Sequence, residues 1–302
     1  MATSHRIPPD HGLTARMFAT GLLLVVLFVG LGGVLAALGL PIYLFIAIPA
    51  VLLFCQYWFS DKIALFGMHA HIVTPEQEPE LHGVVDRLCA LADMPKPRVA
   101  VAETDIPNAF ATGRNPDNAV VCATRGIMSR LDEPELEAVL AHEVSHVAHR
   151  DVAVMTVASV LGVVAGMITR ISIYAGMFGG DRNDQGGALV ELAVLLVSVV
   201  VYAISFLLTR ALSRYRELAA DRSGAILIGR PSLLASALVK VTGDMSRIPT
   251  KDLRAAEHFN AFFFTPALSG GASLSSLFST HPSLEKRLAQ LSELEAEMNQ
   301  AR

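Results

Sequence analysis

Charged side chains and aromatic rings are both scarce in this chain. Of its 302 residues, only 17% are charged and 7% aromatic, whereas 52% are hydrophobic and the mean hydropathy is +0.47. The hydrophobic surplus is therefore aliphatic, and it exceeds that of an ordinary soluble enzyme, which indicates an integral membrane protein. Basic charge is not in excess either: the net charge of -4 gives no reason to expect nucleic acid as a partner.

Cysteine is also rare, and its spacing carries no pattern. Cys55, Cys89 and Cys122 form no CxxC pair. Cys55 lies within an apolar run, and the other two lie in a region that we expect to face the cytosol, where thiols stay reduced. The sequence therefore predicts no disulfide framework.

Long apolar runs are abundant, and they organise the chain. Each is near the roughly 20 residues that a helix needs to cross a bilayer, so we predict about four membrane helices in two hairpins. The runs cover residues 17–38, 40–59, 152–174 and 188–209. A cleaved signal peptide ending near Ala37 is an alternative for the first run, but its length and the immediate second run argue against it. Arg170 inside the third run leaves open a long buried helix that is only partly within the bilayer.

The basic residues that flank these runs predict an orientation. The short loops at 39–41 and 175–187 carry only Arg182, whereas the opposite side carries several basic residues close to the span ends. By the positive-inside rule, both termini and the soluble segments face the cytoplasm. The predicted division is a cytoplasmic tail (1–16), hairpin 1 (17–59), a first soluble part (60–151), hairpin 2 (152–209) and a second soluble part (210–302).

The first soluble part has the patterns of an α+β domain that is mainly helical with a small sheet. Residues 79–92 predict an amphipathic helix, and 98–103 and 119–124 predict strands. A further helix is predicted over 133–149. Asp132 is its N-cap, and Glu135 completes a capping box.

Inside this last helix lies His142-Glu143-Val144-Ser145-His146, an HExxH motif. Two histidines four residues apart project from the same helix face, so both imidazoles can bind one Zn²⁺. Glu143 lies beside them as the general base for a water molecule. The motif predicts a zinc metalloprotease.

A catalytic zinc needs a third protein ligand, and two residues are candidates. His149 follows on roughly the same side of the helix, but we favour its interpretation as a polar residue at the cytoplasmic membrane boundary. Glu217 is the candidate that we favour, with Asp221 one helical turn further on to accept the spare ring N–H of a zinc histidine. Without the HExxH motif, both acids would be interpreted as a solvated helix face.

Four blocks of the sequence together resemble the HtpX-type membrane metallopeptidases of the M48 family, relatives of the Ste24 CAAX proteases. The blocks lie in the family's order, with apolar hairpins before and between them, and they cover nearly the whole chain. Where the family commonly has His-Pro-Pro, the last block here has His-Pro-Ser. The blocks are Asn108-Ala109-Phe110-Ala111-Thr112-Gly113, the HExxH helix with Arg150-Asp151, Arg216-Glu217-Leu218-Ala219-Ala220-Asp221, and Thr280-His281-Pro282-Ser283-Leu284-Glu285-Lys286-Arg287.

This resemblance implies a gluzincin fold with an edge strand that binds the substrate backbone. The matching segment begins at Asn108 and continues through Ala109, Phe110 and Ala111. It also implies that Asn108 and His281 donate hydrogen bonds to the developing oxyanion. As isolated residues they would be interpreted as a turn residue after Pro107 and a helix-start residue before Pro282.

The expected function is a zinc endopeptidase that cuts misfolded or damaged membrane proteins at the cytoplasmic face of a bacterial inner membrane. The expected partners are the lipid bilayer and unfolded polypeptides, with one Zn²⁺ per chain as cofactor. A prenyl-protein processing protease is one alternative, although it would have more membrane helices. A catalytically silent zinc-binding scaffold or chaperone is another, but it would not need Glu143.

Overall fold

The structure is a computed structural model, and it describes residues 11–37, 42–178, 185–245, 264 and 279–300. Over these residues the chain is mainly helical, with one small sheet. The helices are α1 (His11–Ala37), α2 (Ile42–Trp58), α3 (Ser60–Gly67), α4 (Pro79–Ala92), α5 (Arg125–Arg130), α6 (Glu133–Ala148), α7 (Asp151–Phe178), α8 (Gln185–Ile228), α9 (Pro231–Met245) and α10 (Leu284–Gln300). The strands are β1 (Ala70–Ile72), β2 (Arg98–Ala102), β3 (Ala109–Thr112) and β4 (Val120–Thr124).

Three of these helices are long and apolar enough to cross a membrane. The qualifying segments are Thr14–Ala37 of α1, Asp151–Ile173 of α7 and Leu189–Ile228 of α8. The chain is therefore a multi-pass membrane protein. Helix α2 coincides with the predicted second span but has only 17 residues, so the fourth crossing stays a prediction. The predicted hairpin loops lie largely outside the described residues.

The membrane helices bury one side of each helix against the others. Leu31 of α1, Leu161 of α7 and Val201 of α8 belong to one buried cluster. Outward-facing apolar side chains remain exposed, such as Phe18 (74%) and Val157 (72%). Such contiguous exposed apolar surface is what a lipid environment covers.

Helix α8 runs without a break for 44 residues, from the apolar segment into the soluble part of the chain. The boundary that we predict at 209/210 therefore falls inside a single helix. The predicted tail 1–16 likewise overlaps α1, which begins at His11. Because α8 is continuous, the position of Glu217 and Asp221 is rigidly linked to the membrane helices.

The soluble part is built around a four-stranded sheet with the order β1-β2-β4-β3. β2 and β4 pair in parallel, and β1 and β3 are antiparallel edge strands. The predicted helix over 79–92 and the two predicted strands are present, and the helix predicted over 133–149 ends at Ala148. The capping box is present: the Glu135 N–H donates to the Asp132 carboxylate, and the Asp132 N–H donates to Glu135. This cap fixes where α6 begins, and therefore how the HExxH motif is rotated toward its neighbours.

Helices α6 and α8 approach each other so closely that only glycine fits at residue 224. A Cβ atom there would lie 2.7 Å from the His142 backbone nitrogen and 2.9 Å from the Ala141 carbonyl carbon. The contact brings the backbone of α8 against the motif-bearing turn of α6.

We expect Gly224→Ala to destabilise the folded state by about 1–3 kcal/mol, because backbone has to shift to admit the methyl group. Gly83→Ala in α4 is the matched control, since a Cβ there meets nothing within 4 Å. That control should instead gain up to about 1 kcal/mol from helix propensity. Chemical unfolding of both variants in detergent measures the difference, and equal stability would contradict the close approach.

Candidate active site

The HExxH residues lie in the C-terminal half of α6, between the sheet and α8. Their helix is fixed by the capping box at one end and by buried aliphatic residues along its length. His142 is only 1% exposed. Its Nε2 atom lies 3.1 Å from Nε2 of His146, so the two imidazoles point toward a common position.

Helix α8 supplies the third group at this position. The Glu217 carboxylate oxygens lie 3.7 Å from His142 Nε2 and 3.6 Å from His146 Nε2. Ligand atoms of these three residues all lie within 4.8 Å of one another. Ligands at about 2.0–2.1 Å from a tetrahedral metal are about 3.3 Å apart, so two imidazoles and a carboxylate at these separations fit a Zn²⁺-type ion. His149 is exposed at the C-cap of α6 and lies outside this group.

A separate carboxylate contacts the other ring nitrogen of each histidine. Asp221, which we predicted as an orienting residue, has Oδ1 2.9 Å from His142 Nδ1. Asp151, the first residue of α7, hydrogen-bonds His146 Nδ1. Asp151 was not predicted from the sequence. The available signal was its position five residues after His146. That interval crosses the end of α6, so the spacing does not determine which way the Asp151 side chain points.

Each of these two carboxylates is held by a buried arginine. Arg287 from α10 makes a two-point contact with Asp221, at 2.7 Å and 2.6 Å. Arg216 from α8 contacts the Asp151 carboxylate and donates to its backbone oxygen at 2.8 Å. Both histidines are therefore oriented by an aspartate–arginine pair, which fixes their ring orientation and raises their basicity as ligands.

The surroundings of the two histidines shift their pKa values in opposite directions. Burial alone lowers the pKa of His142, but hydrogen bonds to Asp221 and Glu217 outweigh it and raise this pKa to about 9. Burial lowers the pKa of His146 to about 4. Since a histidine ligand has to be neutral, metal binding at neutral pH displaces the proton of His142, and affinity falls as pH is lowered.

Glu143 lines the same cleft as the two histidines and contacts strand β3. It is 4% exposed, and burial raises the pKa of its carboxyl group. The backbone N–H of Ala111 hydrogen-bonds this carboxylate and partly offsets the effect of burial. A carboxylate with a raised pKa beside a metal-ligand cluster is suited to accept and return a proton near neutral pH.

Strand β3 is an edge strand, and it borders a cleft of about 520 Å³ beside the histidines. Ala109, Phe110 and Ala111, which we predicted to bind substrate, all line this cleft. The cleft continues from the ligand cluster along the first turns of α7, including Met155 and Ser159. It therefore extends from the soluble part toward the membrane helices.

Asn108, at the start of β3, is fully buried. Its side-chain oxygen accepts a hydrogen bond from the Phe264 backbone N–H at 2.8 Å, and its own N–H donates to Thr124. Phe264 in turn lies edge-on against His142, and its carbonyl accepts from Arg287. Asn108 thus connects β3 to a residue that packs on the ligand cluster, and its role toward the oxyanion stays a prediction.

His281 reaches the cluster from the segment before α10. Its Nδ1 lies 3.1 Å from Glu217 Oε2, and the ring lines the cleft. Among the residues that the structure describes, Nε2 of His281 has no hydrogen-bond partner. This position leaves one ring nitrogen able to donate to a group in the cleft.

Comparison with known proteins agrees with this geometry. Residues 75–295 match the model of peptidase family M48. The chain belongs to that family.

Two relatives are similar to this chain over nearly their whole length. Protease HtpX homolog 1 of Streptomyces coelicolor is 60% identical over 98% of this chain and 97% of its own. The HtpX homolog of Moorella thermoacetica is 54% identical over 97% of this chain and 98% of its own. The crystal structure of S. mikatae Ste24p shares the fold, with a TM-score of 0.55, 16% identity and coverage of 92% of this chain and 67% of that chain.

Membership of M48 makes this chain a membrane protease of a metal-dependent family. His142, His146 and Glu217 lie close enough together that they could hold a metal ion. The resemblance that the four sequence blocks indicate is therefore confirmed at the level of the family.

For this M48 chain we expect Asp151→Asn to weaken zinc binding by about 10–100-fold, because the amide no longer holds the spare N–H of His146 as a carboxylate does. Asp86→Asn is the control, since Asp86 pairs with Lys96 at the surface of the soluble part. Competition with a fluorescent zinc chelator measures the affinity directly and needs no proteolysis. Equal zinc affinity in both variants would exclude an orienting role for Asp151.

Proposed function

We propose that this chain is a zinc-dependent endopeptidase that hydrolyses misfolded or damaged membrane proteins at the cytoplasmic face of a bacterial inner membrane. The observation that carries the proposal is the position of the HExxH–Glu217 cluster, between the edge strand β3 and the first turn of membrane helix α7. A protease site in that position is accessible to polypeptide that emerges from the bilayer.

His142, His146 and Glu217 would hold the zinc ion, and Asp221 and Asp151 would keep both imidazoles oriented. Bound zinc supplies a Lewis acid that polarises the scissile carbonyl and acidifies water. Glu143 takes the proton from the attacking water and returns it to the leaving amine. Its burial favours this exchange, because it brings the pKa of the carboxyl group closer to neutrality.

The substrate backbone would pair with the outer edge of β3, so that its carbonyl lies beside Glu143. The N–H of Ala111, which contacts Glu143 in this structure, is a main-chain donor at that edge. His281 would donate its N–H to the developing oxyanion. This hydrogen bond lowers the reaction barrier only if it is stronger in the transition state than in the bound substrate. Main-chain pairing of this kind tolerates many side chains and suits unfolded substrates.

The cytoplasmic orientation is supported by the charge distribution. Arg150 lies directly before α7, and Arg210 and Arg214 lie inside α8 where its apolar segment passes into the soluble part. By the positive-inside rule, that side of a bacterial inner membrane faces the cytoplasm.

The proposal is tested with full-length protein purified in detergent and unfolded casein as substrate. Chelation should abolish cleavage, and stoichiometric zinc should restore it. Cleavage that persists after the metal has been removed would contradict zinc dependence.

The substrate class is tested in liposomes, where a misfolded membrane protein is offered beside a prenylated CAAX peptide. Preference for the misfolded protein supports quality control, whereas cleavage of the peptide alone would favour the CAAX alternative. Bound zinc with no cleavage of any substrate would favour a scaffold.

A further inference from the structure

Helix α3 presents an apolar face to the outside of the molecule. Phe59, just before the helix, and Ile63 and Phe66 within it are spaced as i, i+4 and i+7, so they share one side. Their exposed fractions are 42%, 46% and 86%. A phenylalanine exposed to that extent, with apolar neighbours on the same face, marks an interaction surface rather than a scattered surface residue.

The opposite side of α3 is fixed to the soluble part. Asp61 is buried and pairs with Arg98, the first residue of β2, at 2.5 Å. Ala64 is fully buried in a cluster with Phe110 of β3 and Cys122 of β4. Because this side is anchored, the direction of the apolar face is determined by the sheet.

The apolar face also adjoins the exposed side of α2. The Phe59 N–H donates to the Cys55 carbonyl at 3.0 Å, and the Ile63 N–H donates to the Phe59 carbonyl at 2.9 Å. Helical hydrogen bonding therefore carries on across the junction between the two helices. Leu52 and Phe54 of α2 are 55% and 58% exposed, on a helix that packs against the membrane helix α7.

One basic residue lies within this face. Lys62 has its ammonium 5.4 Å from the centre of the Phe59 ring and makes no ion pair among the described residues. A lysine among exposed aromatic and aliphatic side chains suits the interfacial layer of a bilayer, where lipid acyl chains meet phosphate groups. A protein partner's apolar core would leave the ammonium group unpaired.

We propose that α3 is an interfacial helix whose Phe59–Ile63–Phe66 face is inserted into the lipid surface. Ser60 and Ile63 also line the active-site cleft. The lipid surface therefore lies at the rim of the cleft, so polypeptide leaving the bilayer beside α2 meets β3 directly. The lipid contact itself does not depend on proteolysis.

The experiment uses tryptophan as a depth probe, because Trp58 is the only tryptophan in the chain. In a Trp58→Phe background, Phe66→Trp places the probe on the proposed lipid face. Leu91→Trp is the matched control, since Leu91 is an apolar residue of α4 that is 56% exposed. Both full-length variants are reconstituted into phosphatidylcholine–phosphatidylglycerol vesicles with and without brominated lipids.

We expect the Phe66→Trp emission to be blue-shifted and to lose a major part of its intensity with lipids brominated near the headgroup. The Leu91→Trp emission should change little. Equal quenching in the two variants would overturn the proposal. Two further results would also overturn it. A blue shift of the Phe66→Trp emission that grows with protein density but shows no lipid quenching would indicate contact with a second copy. A blue shift that appears only with added unfolded casein would indicate that the face binds polypeptide.

Discussion

Glu143→Gln is expected to lower kcat/KM for unfolded casein by about 10²–10⁴-fold, because the amide cannot accept a proton from water. Glutamine has nearly the same shape, and the carboxylate makes no contribution to the ligand set of His142, His146 and Glu217. Zinc content should therefore remain at one ion per chain. The measurement is initial cleavage rate together with metal analysis of the same preparation.

Glu137→Gln is the matched control on the same helix. Glu137 binds Arg87 at the surface of α6, away from the cleft, so its loss should leave the cleavage rate nearly unchanged. If Glu143→Gln keeps full activity with zinc bound, Glu143 is not the base. Loss of zinc in that variant would instead show that the carboxylate supports the metal site.

The active-site helix is the part of the molecule that sequence determines most completely. The capping box at Asp132 and Glu135 fixes the first turn of α6, and the 3.6-residue period then fixes which face His142 and His146 share. Both signals depend only on neighbouring residues, so they can be recognised without knowledge of the tertiary fold. Glu217 could also be anticipated, but only because a zinc site requires a third ligand.

Contacts between distant segments were not predictable in the same way. Asp151 reaches His146 across the junction of α6 and α7, where Arg150 between them has a left-handed backbone (φ 54). Phe264 meets Asn108 across 156 residues, and no periodic pattern reports such a contact. The continuity of α8 was not predicted, because hydropathy reflects the environment that a helix faces. Hydropathy changes at the membrane boundary even where the helical backbone continues.

Arg287→Met is expected to destabilise the folded protein by about 3–5 kcal/mol, because it leaves the Asp221 carboxylate buried without its partner. Arg287 is 2% exposed and Asp221 0%. The same guanidinium also donates to the Phe264 carbonyl at 2.9 Å, so one side chain ties α10 to α8 and to the residue that packs on His142. Zinc affinity should fall with stability, since Asp221 would no longer be held against His142.

Arg222→Met is the control for this variant, because Arg222 pairs with Glu297 between the same two helices but at the surface. That pair is 3.4 Å apart and Glu297 is 53% exposed, so its loss should cost at most about 1 kcal/mol. Arg287→Lys should fall between the two, because lysine restores the charge but not the two-point contact. Unfolding in detergent ranks the three variants. If Arg287→Met is no less stable than Arg222→Met, the buried pair does not hold α10 in place, and the orientation of His142 must come from α6 and α8 alone.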